Sequence, residues 1–119
     1  MPHPLPHHHG GPFEDEKYSI PSGEDFRTAA DLFKLLDDGN RLKIFWILCH
    51  GEECVMNLSA LMDMSSPAVS HHLRQLRDAG LITSRRDGKE VYYQAANTEK
   101  TAVLHHTIEK ILEITCPQE

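Results

Sequence analysis

The sequence predicts a mainly α protein with one small β-hairpin, an α+β fold built on a single core. Three observations carry this expectation. Five segments place apolar residues at helical spacing. One Asp-Gly pair, Asp87-Gly88, separates two short runs suited to strands. The length of 119 residues, 39% of them hydrophobic, suits one modest core and leaves little room for a second.

Residues 1–22 are rich in Pro, Gly and His and show no periodicity, so they read as a flexible arm. The arm carries His3, His7, His8 and His9, which suit either a plain tail or a donor of metal ligands. The folded domain is expected over residues 23–116. Its first helix opens at Ser22, with Asp25 three residues on as a capping box, and shows the stripe Phe26, Ala29, Ala30, Phe33 and Leu36. Asp38-Gly39-Asn40 breaks that helix. A second helix is expected over Arg41–Cys49, apolar on most sides and therefore central to the core.

Cys54-Val55-Met56 reads as a short isolated strand, and Asn57 as the cap of a helix through Asp63. After a turn at Met64-Ser65, Ser66 is the expected cap of a longer helix with Pro67 at its first position, running to about Ala79 and ended by Gly80. Leu81–Arg86 and Glu90–Gln94 form the hairpin. Thr98 caps a last helix that reaches about Thr115, where Pro117 follows. A short helix, a tight turn, a longer helix and a two-stranded wing make a winged helix-turn-helix, a DNA-reading arrangement.

The charge pattern agrees with that reading. The whole chain carries a formal −6, yet His71 to Lys89 holds five cations against two anions, a local +3 that leaves −9 for the remainder. A local basic surface on an acidic body can engage phosphates, with affinity that falls as salt rises. On the longer helix Val69, Leu73 and Leu76 are spaced to anchor an inner face. Ser66, Ser70, His71, His72, Arg74 and Arg77 are the candidate DNA contacts there, where small and hydrogen-bonding side chains let a helix approach base edges. Arg85, Arg86 and Lys89 flank the hairpin tip and suit phosphate or minor-groove contact. The alternative is an ordinary amphipathic helix with a solvated polar face, and the cationic wing weighs against it.

The run from Ser66-Pro67-Ala68-Val69-Ser70-His71-His72-Leu73-Arg74 through Gly80-Leu81-Ile82, followed by Arg85-Arg86-Asp87-Gly88-Lys89-Glu90-Val91-Tyr92-Tyr93, resembles the ArsR/SmtB family of bacterial repressors. Leu36 to Leu48 is similar to the family's second helix, and the likeness covers about residues 24–115. The resemblance implies a winged-helix homodimer, paired through its first and last helices, that holds double-stranded operator DNA and releases it when an inducer binds. It places Ser66, Ser70, His71 and Arg77 where the family contacts DNA. The last helix agrees from its own pattern: Leu104, Ile108, Ile111 and Thr115 form one stripe, read as dimer interface or core.

The sensed species is expected to be a metal or metalloid ion, Zn2+ or another thiophilic ion, acting as inducer and not required for the fold. The resemblance implies three alternatives. A zinc site across the last helices aligns with Asn97, Glu99, Lys110 and Glu113, of which Asn97 and Lys110 are poor ligands. A second site joins Cys54 to the His-bearing arm, a thiolate and imidazole set suited to a borderline or soft ion. A third involves Cys49 and Cys116, displaced about one turn from the pair of the family's thiol-sensing branch, and gives the alternative of a redox- or persulfide-sensing repressor. His105, Glu109 and Cys116 share a face of the last helix, but His105 and Cys116 are roughly 16 Å apart along it. An antiparallel partner helix is the arrangement that would bring His105 of one subunit to Cys116 of the other.

Three cysteines in a small chain argue against a disulfide scaffold and for free thiols in a reducing compartment. No apolar run approaches the roughly 20 residues of a membrane span, and no secretory signal pattern opens the chain, so the expectation is a cytoplasmic protein with no membrane partner. An enzyme is not expected, because no glycine-rich phosphate loop appears and Cys and His are scattered without a nucleophile motif. A winged helix that binds only protein is disfavoured by the basic wing.

Overall fold

The structure, a computed structural model, describes residues 5–14 and 18–117. The chain divides into two compact units, Met1–Asp31 and Leu32–Glu119. In the first, residues 5–14 and 18–22 carry no helix or strand. The His9 N–H donates to the Glu14 carboxylate. The capping box forms as read from the sequence: the Asp25 N–H donates to Ser22 Oγ at 3.1 Å and the Ser22 N–H to Asp25 Oδ2 at 3.3 Å. They open α1 (Gly23–Leu35), which buries none of its residues.

Within the second unit follow α2 (Gly39–His50), β1 (Glu53–Cys54), α3 (Val55–Met62), α4 (Ser66–Asp78), β2 (Ile82–Asp87), β3 (Glu90–Ala95) and α5 (Glu99–Thr115). Every helix start in this unit differs from the simplest sequence reading, except at Thr98, whose Oγ1 accepts from the Thr101 N–H at 3.2 Å. Asp38 does not break a helix but caps α2, accepting from the Arg41 N–H at 3.0 Å, so Gly39 and Asn40 form its first turn. Helix α3 begins at Val55, two residues before Asn57, whose side chain donates to Glu53 Oε2 at 3.0 Å. The cap of α4 is Ser65, not Ser66, because it is the Ser65 Oγ that accepts from the Ala68 N–H.

The sheet has three antiparallel strands in the order β1-β3-β2. Glu53 and Cys54 pair with Tyr93 and Tyr92, so the short strand is not isolated but extends the hairpin. The hairpin ladder runs to Asp87↔Glu90, leaving Gly88 and Lys89 as the loop. Gly88 takes φ +64°, and glycine at the first loop position is what a II′ turn favours. The expected Asp87-Gly88 loop is thus displaced by one residue.

The core joins Ile44, Phe45 and Leu48 of α2, Leu58 and Met62 of α3, Val69, Leu73 and Leu76 of α4, and Leu81, Ile82 and Ile108. Each such side chain contributes about 1.5–3 kcal/mol by leaving water. Helix α2 supplies its two largest fully buried residues, Phe45 and Ile44, as its all-round apolar character predicts. No helix among the described residues is long and apolar enough to cross a membrane.

Candidate functional site

Helices α3 and α4 are joined by a tight turn. Asp63 takes the left-handed conformation, φ 54° and ψ 50°, and reverses the chain. Across the turn Ser59 Oγ and Ser66 Oγ lie 3.2 Å apart, which ties the two helices at the end where α4 starts. Behind α4, Arg41 of α2 donates from Nη1 to Gln75 Oε1 at 2.7 Å. Helix α4 is therefore held at both its turn and its back.

Val69, Leu73 and Leu76 are buried, as their spacing required. Ser66, His71, Arg74 and Arg77 are exposed and Ser70 is half-buried, forming one outward polar face. His72 does not belong to it. Only 9% exposed, it lies on the inner face beside Leu73, with Nδ1 lacking a hydrogen-bond partner among the described residues. Desolvation lowers its pKa, Asp38 opposes that shift, and Arg41 and His71 add to it. The expectation that His72 touches DNA is corrected: position 72 falls on the core side of the helical period.

The wing is exposed from Thr83 to Glu90. Arg85 is not a free cation. Its Nε and Nη2 meet the Glu52 carboxylate at 2.6 and 3.0 Å, and its guanidinium lies 4.8 Å from the Tyr92 ring centroid. The Arg85 hydrogen bond, opposed by desolvation, holds Glu52 below the usual carboxylate range. Glu52 is adjacent to β1, and only the pairing of β1 with β3 brings it to the wing. Among the described residues no salt bridge engages Arg74, Arg77, Arg86 or Lys89.

A second group of chemically capable side chains lies between α2 and α5. His50 Nε2 and His105 Nε2 stand 3.0 and 3.1 Å from the same oxygen, Glu109 Oε1. The Trp46 Nε1–H donates to that oxygen as well, at 3.2 Å. Desolvation pushes the Glu109 carboxyl up, but hydrogen bonds from His105, His50 and Trp46 outweigh it and hold the group below its ordinary range. The two imidazole nitrogens and the carboxylate oxygen lie within 4.8 Å of one another. His105 and Glu109 were candidates from the helical period; His50 and Trp46 were not, since nothing local relates them to residues some sixty positions away.

No cysteine is among these converging donors. Cys54 is on β1 opposite Tyr92 and Cys116 is exposed at the end of α5. Cys49 is half-buried in α2, where burial and then the Glu109 charge push its thiol up to about 11. Within the chain His105 turns to Glu109, and Glu109 to His50. Of the arm histidines, His3 lies outside the described residues, and His7 stacks on His9 at 5.7 Å.

Ile108, expected at an interface, is 8% exposed in its own core. Ile111 is 53% exposed and Leu104 is half-buried. Both line an apolar groove of about 480 Å³ together with Phe33, Leu36 and Leu42.

The model of the "Bacterial regulatory protein, arsR family" matches residues 38–84, the span from the α2 cap through the start of the wing. The cadmium resistance transcriptional regulatory protein CadC of Listeria innocua is 42% identical over 74 residues, 61% of this chain and 62% of its own. This chain thus spans less than two thirds of that relative's length. The arsenic resistance transcriptional regulator ArsR2 of Pseudomonas putida is 36% identical over 87 residues, 72% of this chain and 75% of its own. Among solved structures, the homodimeric winged helix-turn-helix DNA-binding domain from Mycobacterium bovis superposes with a TM-score of 0.68 at 26% identity, covering 83% of this chain and 94% of that one. The two sequence relatives are regulators by name, and the solved domain is a winged helix-turn-helix by name. With that architecture and those matches, the chain belongs to the ArsR family of bacterial regulatory proteins.

Proposed function

We propose that this protein is a homodimeric transcriptional repressor that holds operator DNA through α4 and the β2–β3 wing and releases it when a metal or metalloid ion binds. The outward face of α4 carries the proposal: Ser70, His71, Arg74 and Arg77 stand together opposite a fully buried anchor of Val69, Leu73 and Leu76. Such a face suits direct reading of base edges in a major groove, while Arg86 and Lys89 on the wing suit phosphates. The exposed apolar groove beside Leu104 and Ile111, and an α1 that buries nothing in one chain, support dimerisation through the first and last helices. The relatives named for cadmium and arsenic resistance support an ion as the signal.

Fluorescence anisotropy on DNA from upstream of the protein's own gene tests this reading. The expected result is tight binding that weakens as salt rises and is reversed by one of zinc, cadmium or arsenite. Reversal by a persulfide donor alone, abolished by Cys49→Ser or Cys116→Ser, would establish the thiol-sensing alternative instead. Absence of binding at low salt would remove the repressor reading.

A further inference from the structure

We propose that His50, His105 and Glu109 form a binding site for a borderline divalent cation of the Zn2+, Co2+ or Ni2+ type, built between α2 and α5 of one chain. The site deepens the repressor reading, because it names where the signal enters, but its existence does not depend on DNA binding.

Three features of the geometry point to an ion. First, the donors converge from two elements far apart in sequence: His50 ends α2, while His105 and Glu109 lie one turn apart on α5. Second, both imidazoles aim the same kind of atom, Nε2, at a single carboxylate oxygen 3.0 and 3.1 Å away. A tetrahedral ion with bonds of about 2.0–2.2 Å needs donors about 3.3 Å apart, and with all three donor atoms within 4.8 Å of one another modest side-chain shifts admit one. Third, the donors are oriented. The His50 ring lies between Trp46, 4.4 Å away by centroids, and His105, 5.0 Å away. The Trp46 indole N–H donates to the same Glu109 oxygen and holds the carboxylate in place, as outer hydrogen bonds do for metal ligands.

The site is also reachable. Side-chain exposure is 48% for His50, 32% for His105 and 42% for Glu109, which leaves an entry path from solvent. Two imidazoles and a carboxylate suit borderline divalent first-row ions and leave a fourth position for water. They are a poor set for arsenite or another strongly thiophilic species, since no cysteine belongs to the group. An ion here would pin α2 to α5. Helix α2 in turn holds α4 through Arg41 and Gln75, so the site has a short mechanical route to the recognition helix.

Trp46 is the chain's single tryptophan and touches the site, so it reports occupancy directly. The test is Co2+ titration of the full chain carrying His3, His7, His8 and His9→Ala, which silences the arm, followed by Trp46 fluorescence and Co2+ absorption. The expected result is saturable quenching at one equivalent, with affinity reduced roughly ten-fold or more in both His50→Gln and His105→Gln. Circular dichroism melting serves to verify that these variants stay folded. Quenching unaffected by either substitution, or no saturable binding, would overturn the site. Binding lost in the arm variant alone would assign the ion to the arm and overturn it equally. Operator release by Co2+ without binding at this cluster would leave the repressor reading standing and remove the site. Binding here without any effect on the operator would keep the site and remove its part in operator release.

Discussion

Arg85 and Glu52 form a two-pronged ion pair across the sheet, with Nε to Oε2 at 2.6 Å and Nη2 to Oε1 at 3.0 Å. The wing's cationic character is therefore lower than its sequence implies. Replacing Glu52 by Gln releases the guanidinium for a phosphate. We expect tighter DNA binding and a log affinity–log salt slope steeper by about one. Stability should hardly move, since exposed ion pairs contribute little. Anisotropy at several salt concentrations checks this; an unchanged slope would leave wing contacts to Arg86 and Lys89.

The outward face of α4 divides by chemistry. His71→Ala and Arg77→Ala should each weaken operator binding by about 1–3 kcal/mol, with relaxed sequence preference wherever the side chain meets a base edge. Loss that is uniform across operator and random DNA would assign that residue to phosphate instead. Both residues are exposed, so thermal melting should stay near the wild-type value.

His72 makes the fold sensitive to acid. Burial holds its pKa below the ordinary 6.5, so between the two values the unfolded chain binds more protons than the native one. Its contribution is accordingly full above about pH 6.5 and lost as pH falls through the folded value. Urea midpoints should drop between about pH 7.5 and pH 5.5, and drop less in His72→Leu, which removes the titrating ring and its unpartnered Nδ1. Equal drops in both proteins would place the acid sensitivity elsewhere.

The start of α4 distinguishes neighbouring serines. Ser65→Ala removes the cap on Ala68 and should cost about 1 kcal/mol in denaturant unfolding, while Ser66→Ala, whose hydroxyl meets the Ser59 hydroxyl, should cost less. The reverse order would return the cap to Ser66.

Cys49 is expected to react slowly as a thiol. With its thiol pushed up to about 11, it stays protonated at neutral pH. Alkylation by iodoacetamide at about pH 8, followed by mass spectrometry, should modify the exposed Cys116 at least about ten-fold faster. Comparable rates would restore Cys49 as a candidate nucleophile.

Much of this molecule is written locally. The reciprocal Ser22–Asp25 cap, the Val69–Leu73–Leu76 anchor, the Thr98 cap and the hairpin around Gly88 depend on residues within a turn or two of each other, and each was legible from spacing alone. Errors of one or two residues arose where adjacent candidates compete, as with Ser65 and Ser66, or where Asp38 caps a helix rather than breaking one. His72 was misplaced because a histidine beside exposed His71 looks polar, although the 3.6-residue period turns it inward. The pairing of His50 with Glu109 and of Glu52 with Arg85 joins residues 59 and 33 positions apart. No local rule relates such positions. They meet because α2 and α5 pack on one core and β1 adds to β3, and those long-range contacts put a carboxylate against two imidazoles and neutralise a wing arginine.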